Sequence, residues 1–166
     1  DNYALIFNED DDTPDMVKIE NDEDYLPEGE EVVISCLKSN SHPKQGVMIY
    51  KIAYKDKSLV YATDTEGYVG ANKKLVLFAR DTDLLIHDAQ YTSEEYLNAY
   101  FSKQGYGHST FDMALETFSQ AKAKSLAFFH FDPNYNDEFL LEIENHYTEN
   151  CKNCFIPKEG QEIVLR

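Results

Sequence analysis

The run Ser58-Leu-Val-Tyr-Ala-Thr-Asp-Thr-Glu-Gly67 is apolar and strand-prone up to Ala62 and then meets a carboxylate, Asp64. Such a stretch reads as a buried strand that stops abruptly. A strand that ends on Thr63-Asp64-Thr65 places a charged group at the rim of a core, where layered α/β folds bind ligands. A helix N-cap or turn aspartate is the structural alternative. The preceding run, Gly46 to Tyr54, alternates as a second strand, and Lys55-Asp-Lys57 turns it back as an antiparallel hairpin. His42 lies in the loop that feeds this hairpin. In an antiparallel pair the entrance of the first strand and the exit of the second share an edge, so His42 and Asp64 come within reach of one metal ion.

Val32-Val-Ile-Ser-Cys36 reads as a further short strand. From residue 72 onward strand and helix signals alternate. A short helix over 73–80 is followed by a strand over 83–88 ending in His87-Asp88, and then by a helix over 92–101 with acids in its first turn. Ser109-Thr-Phe-Asp112 has capping-box spacing, and Phe111, Ala114, Leu115 and Phe118 follow as one buried helix face. A strand over 125–130 ends in His130. A helix over 136–148 turns Phe139, Leu140, Ile143 and Tyr147 inward, with His146 on the surface, and Glu162-Ile-Val-Leu165 reads as a closing strand. The alternation argues for a layered α/β domain. His87-Asp88 and His130 fall at strand C-terminal ends, and His108 in the loop before a helix.

Of the net charge of −16, residues 1–31 carry thirteen acids and one lysine. We read 1–26 as a solvated acidic arm or linker and 27–166 as the folded part. That charge opposes non-specific attraction to nucleic-acid phosphates and gives no support to a duplex-binding module. No apolar run approaches membrane-spanning length and no signal peptide is visible, so a membrane is not expected as a partner. Three cysteines, Cys36, Cys151 and Cys154, read as ordinary thiols of a reducing, cytoplasmic compartment; one C-x-x-C without a second pair does not by itself point to zinc or redox chemistry.

Taken in order, the His42-Pro43 loop, the strand ending Ala-Thr-Asp64-Thr-Glu, the strand ending His87-Asp88-Ala-Gln-Tyr-Thr, the start Gly-His108-Ser109-Thr and the strand ending Phe-His130-Phe-Asp-Pro form a recognisable set. The set resembles the metallo-β-lactamase superfamily, in its branch of phosphodiesterases that includes the ribonuclease Z group. The resemblance covers about residues 27–166 and implies a four-layer αββα sandwich with two divalent metals, zinc or manganese, at one edge of the sheets. It further implies that His42 ligates one metal, that Asp64 bridges both, and that His130 ligates the other. Imidazole and carboxylate donors suit such ions, and a bridging carboxylate can hold two metals about 3.5–4 Å apart. By the same resemblance His108 is a catalytic, substrate-side residue that contacts the phosphate and protonates the leaving oxygen, with Ser109 beside it in substrate binding. His87 and Asp88 would orient the side chains around the metals.

The implied activity is metal-dependent hydrolysis of phosphodiester bonds in a cyclic nucleotide, a cyclic sugar phosphate or RNA. The alternative is a non-catalytic binding or regulatory subunit on the same scaffold. The resemblance also requires an H-x-H-x-D-H motif, which the 166 residues lack. With that absence, and with Asp1 as first residue, the expectation is a chain supplying mainly the C-terminal half of the domain. Its expected partners are the phosphodiester substrate and the missing N-terminal half, in cis or in trans, with a homodimer as a further expectation. A half-sandwich exposes the sheet face that should pack on the other half.

Overall fold

The hairpin that ends at Ala62 forms the centre of the sheet. The computed structural model describes residues 2–8, 15–19 and 32–165. Strand β4 (Val47–Tyr54) pairs antiparallel with β5 (Lys57–Ala62) through a two-residue turn in which Lys55 takes a left-handed backbone, φ +53°. On its other edge β4 pairs antiparallel with β3 (Val32–Ser39) over eight residue pairs, from Val32 opposite Tyr54 to Ser39 opposite Val47. Beyond β5 the additions are parallel: β6 (Leu84–Asp88), β7 (Leu126–Phe129) and the short β8 (Cys154–Phe155). With β1 (Asn2–Asn8) and β2 (Asp15–Ile19) the sheet has eight strands in the order β2-β1-β3-β4-β5-β6-β7-β8.

Period-two alternation sorts the sheet into two unlike faces. One face carries Leu37, Ile49, Val60, Leu85, Leu126 and Phe128, all buried in a single core with Leu75 of α1 (Lys73–Phe78) and with Phe111 and Ala114 of α3 (Phe111–Ala121). Helix α4 (Asp137–Thr148) adds Leu140, Ile143 and Tyr147 at its margin. The opposite face presents Ile34, Tyr50, Tyr61 and Phe129, each more than a third exposed. The chain therefore supplies one sheet and one helical layer of the expected sandwich, with an apolar sheet face uncovered by the described residues.

Four expectations are corrected. Stretches of the acidic arm are strands: β1 and β2 lie within residues 1–26, and β1 pairs parallel with β3. The acids cluster on either side of the apolar runs Tyr3-Ala-Leu-Ile-Phe7 and Met16-Val17, so a charge average over the segment conceals its strand character. The helix expected over 92–101 is a single turn, α2 (Ser93–Tyr96), because the Asn98 side-chain oxygen accepts the N–H groups of Tyr100 and Phe101 and closes a turn there. Residues 162–165 form no strand; the sheet closes at β8, where Leu126 pairs with Cys154. Cys151 and Cys154 are joined in a disulfide, with Cα atoms 5.5 Å apart across the turn after α4, and are not free thiols. Cys36 is the free cysteine of the described residues, buried so that its thiol pKa is raised. No helix among the described residues is long and apolar enough to cross a membrane.

Candidate metal centre and active site

The parallel strands deliver their C-terminal ends to one edge of the sheet, and the hairpin brings the His42 loop to that same edge. Asp64 follows β5 by two residues and His130 follows β7 directly. Both are held at positive φ, +53° for Asp64 and +64° for His130, a conformation costly for side chains other than glycine and one that clusters at functional sites. Asp64 Oδ1 stands 3.9 Å from His42 Nε2 and 3.6 Å from His130 Nε2. Both separations exceed a hydrogen bond, yet both nitrogens converge on one carboxylate oxygen. His42 Nδ1 donates to the Pro43 carbonyl at 3.3 Å, which leaves the lone pair on Nε2, facing Asp64.

His108 closes the group from above. Its ring stacks on His130 with centroids 5.0 Å apart and meets His42 edge-on at 5.5 Å. His108 Nδ1 donates to Asp88 Oδ2 at 2.9 Å, leaving Nε2 for other chemistry. Asp88 is fully buried, and its other oxygen accepts the N–H groups of Ser109 and Gln90. A carboxylate removed from water in this way is stable only because these donors satisfy it. Burial acts against a charged His108, but the hydrogen bond and charge of Asp88, with smaller effects from Asp64 and Glu66, outweigh it and raise the His108 pKa above the ordinary histidine value.

Two sequence-predicted residues play other parts. His87 precedes Asp88 on the same strand, so alternation turns it the opposite way, into the helix-side core, where it is fully buried and its Nε2 has no hydrogen-bond partner. Its Nδ1 donates to the Asp88 carbonyl at 2.8 Å. Ser109 is also turned inward: its hydroxyl donates to the Thr65 carbonyl at 2.6 Å and accepts from Gly67 N at 2.9 Å. The helix cap expected of Ser109 belongs instead to Thr110, whose side chain accepts from Met113 N. Ser109 thus fixes the loop that carries Asp64.

Residues not singled out in the sequence complete the scaffold. A buried chain of hydroxyls, Ser39 to Ser41 at 2.7 Å and Ser41 to Thr65 at 2.6 Å, ties the His42 loop to the Asp64 loop. Glu66 accepts hydrogen bonds from Tyr96 Oη, Gly105 N and Gly107 N, anchoring the loop before His108. Gly107, at φ +93°, lies so close to His42 and Pro43 that a Cβ there would be 2.5 Å and 2.4 Å from them. Ser41, Thr65, Glu66 and Gly107 each lie within two residues of a candidate functional residue, which is the one signal the sequence offered for them.

The donor set fits a divalent metal. Two groups of side chains could each hold an ion, His42, Asp64 and His108 in one and Asp88, His108 and His130 in the other. His130 Nδ1 is buried without a hydrogen-bond partner, 3.6 Å from Asp88 Oδ2. His42, Asp64 and His130, the ligands that the sequence resemblance implies, all fall within these two groups.

Comparison with known proteins bears on the family and the fold. A family model described as the beta-lactamase superfamily domain matches residues 2–131. Ribonuclease Z of Thermococcus sibiricus is 36% identical over 122 residues, which is 74% of this chain and 32% of that protein. The chain spans about a third of the length of the ribonuclease Z relatives it matches. The crystal structure of the short form of human tRNase Z aligns with a TM-score of 0.58 over 91% of this chain and 46% of its own, at 16% identity. The metallo-beta-lactamase fold protein YhfI of Bacillus subtilis aligns with the same score over 77% of this chain and 48% of its own, at 18% identity. With the family model covering most of its length and these relatives beside it, the chain belongs to the metallo-β-lactamase superfamily, in its ribonuclease Z-like branch.

Proposed function

We propose that this chain carries the Asp64 side of the active site of a metal-dependent phosphodiester hydrolase that uses two divalent ions, zinc or manganese. The observation that carries the reading is the convergence of His42 Nε2 and His130 Nε2 on Asp64 Oδ1 at distances too long for hydrogen bonds, with Asp64 and His130 both held at positive φ. When bound, the metals supply Lewis acidity toward the phosphate oxygens. His42 and His130 would each hold an ion, with the Asp64 carboxylate shared between them. His108, kept in one orientation by Asp88, presents Nε2 to the leaving oxygen and gives it a proton; the raised pKa keeps that proton available nearer neutral pH. The ribonuclease Z relatives favour RNA as the substrate class, with cyclic nucleotides and cyclic sugar phosphates as the other members of the phosphodiester class.

A second reading, a binding or regulatory subunit without catalysis, is favoured by one observation: the 166 residues contain no H-x-H-x-D-H, so this chain offers each ion two ligands where a zinc site takes three or four. Activity of the metal-loaded protein on two substrates separates the readings. A proton donor matters most for a poor leaving group such as a ribose alkoxide and least for a phenolate, so His108→Ala should cost about 10²–10⁴-fold on a ribonucleotide diester. It should retain most activity on bis(p-nitrophenyl) phosphate. Equal losses on both substrates would remove the acid role, and hydrolysis of neither by the unmutated protein would favour the subunit.

A further inference from the structure

The loop that delivers His108 carries large apolar side chains into solvent: Leu97, Tyr100, Phe101 and Tyr106 are 65, 88, 79 and 58% exposed. This loop is built, not loose. Asn98 closes its first turn, Lys103 N donates to the Tyr96 carbonyl, and Glu66 accepts from Gly105 N and Gly107 N. The ammonium of Lys103 lies 5.5 Å from the ring centroids of both Tyr91 and Tyr106, and the Tyr91 ring stands edge-on to His108 at 6.2 Å. A series of rings and one cation therefore leads outward from His108 to an exposed tyrosine, on an ordered support.

We propose that Tyr106, with Lys103 behind it, is a stacking platform for the nucleobase adjoining the scissile phosphodiester of a single-stranded oligonucleotide. The proposal rests on the phosphodiester-hydrolase reading of the neighbouring site. Every base has a π face that an exposed aromatic ring can cover, and a cation beside the ring reaches the backbone phosphate; together they form the recurring unit of single-strand recognition. A duplex does not meet these terms, since its bases already stack on one another. The charge of the chain points the same way. At a net −16, general attraction to phosphates is opposed, which leaves more of the recognition to local contacts such as stacking and a placed cation.

Fluorescence anisotropy on the full chain, with a short single-stranded oligoribonucleotide and an abasic ribose-phosphate chain of equal length, tests this directly. Tyr106→Ala should weaken binding of the base-containing strand by on the order of 5- to 100-fold and leave the abasic chain bound as before. Tyr106→Trp should restore the preference for bases. Lys103→Gln should weaken both ligands and lower the salt-dependence slope by about one. Equal losses on the two ligands, or no preference for bases in the unmutated protein, would overturn the platform. A change in sedimentation for Tyr106→Ala without a change in base preference would do so too, by showing that the rings join copies of the protein. Metal content of the same preparations keeps the two ideas apart. A protein that binds metal but ignores bases refutes the platform alone, and one that prefers bases but binds no metal refutes the hydrolase reading alone.

Discussion

Gly107 and Gly105 form a matched pair on one loop, and substituting each tests how the site is held together. Both sit at positive φ, +93° and +82°, and both donate their N–H to Glu66. They differ in surroundings. A Cβ at Gly105 meets nothing within 4 Å, whereas one at Gly107 comes within 2.4 Å of Pro43 Cδ and 2.5 Å of His42 Cδ2. Gly105→Ala should therefore cost only the left-handed backbone term, about 1–2 kcal/mol. Gly107→Ala adds an overlap of more than an ångström with a ring whose position matters; overpacking of this kind brings the total to about 2–5 kcal/mol if the ring stays. If instead His42 swings out, the stability loss shrinks and the metal loses a ligand, with a fall in affinity of at least about tenfold. Urea unfolding in chelator, paired with calorimetric metal titration of both variants, reads the two alternatives. Variants that unfold at the same midpoint and bind metal alike would refute the claim that the Gly107 backbone packs against His42 to set the ligand position.

Asp64 Oδ1 faces Nε2 of both His42 and His130, so Asp64→Ala should lower bound metal more than either His42→Ala or His130→Ala, by elemental analysis; unchanged stoichiometry would refute the bridging role. Burial lowers the His87 pKa, partly countered by its hydrogen bond to the Asp88 carbonyl and by the Asp88 charge. Because the unfolded chain then binds the extra proton, the effect on stability is nil above a pH of about 6.5 and grows as pH falls toward the folded pKa, by about 1.4 kcal/mol per unit. His87→Leu should flatten that dependence in urea midpoints taken between pH of about 7 and 5.5, and an unaltered slope would show that His87 is not the group responsible.

What the sequence disclosed and what it concealed divide along physical lines. The placement of Asp64, His42 and His130 at one sheet edge was legible because strand and hairpin signals are local, and the ends of neighbouring strands must share an edge whatever packs around them. Period-two alternation could have placed His87 and Asp88 on opposite faces, since they adjoin on one strand; treating them as a pair obscured this. Ser109 shows a different limit. Its spacing to Asp112 fits a capping box, but Thr110 one residue later also fits a cap, and the choice was made by partners far away in sequence, the Thr65 carbonyl and Gly67 N–H, 44 and 42 residues earlier. Local pattern cannot rank two adjacent hydroxyls whose competition is decided by tertiary contacts. Glu66 and Ser41 stand near candidate residues in sequence, but their partners are set in the same way, on loops that only the fold brings together. The position of the candidate ligands therefore follows from local order, whereas the precision with which they are held depends on long-range hydrogen bonds. A variant at the hydroxyl chain or at Glu66 should disturb metal geometry before it disturbs the fold, because these groups bind loop to loop outside the core of Leu37, Ile49, Val60 and Phe128.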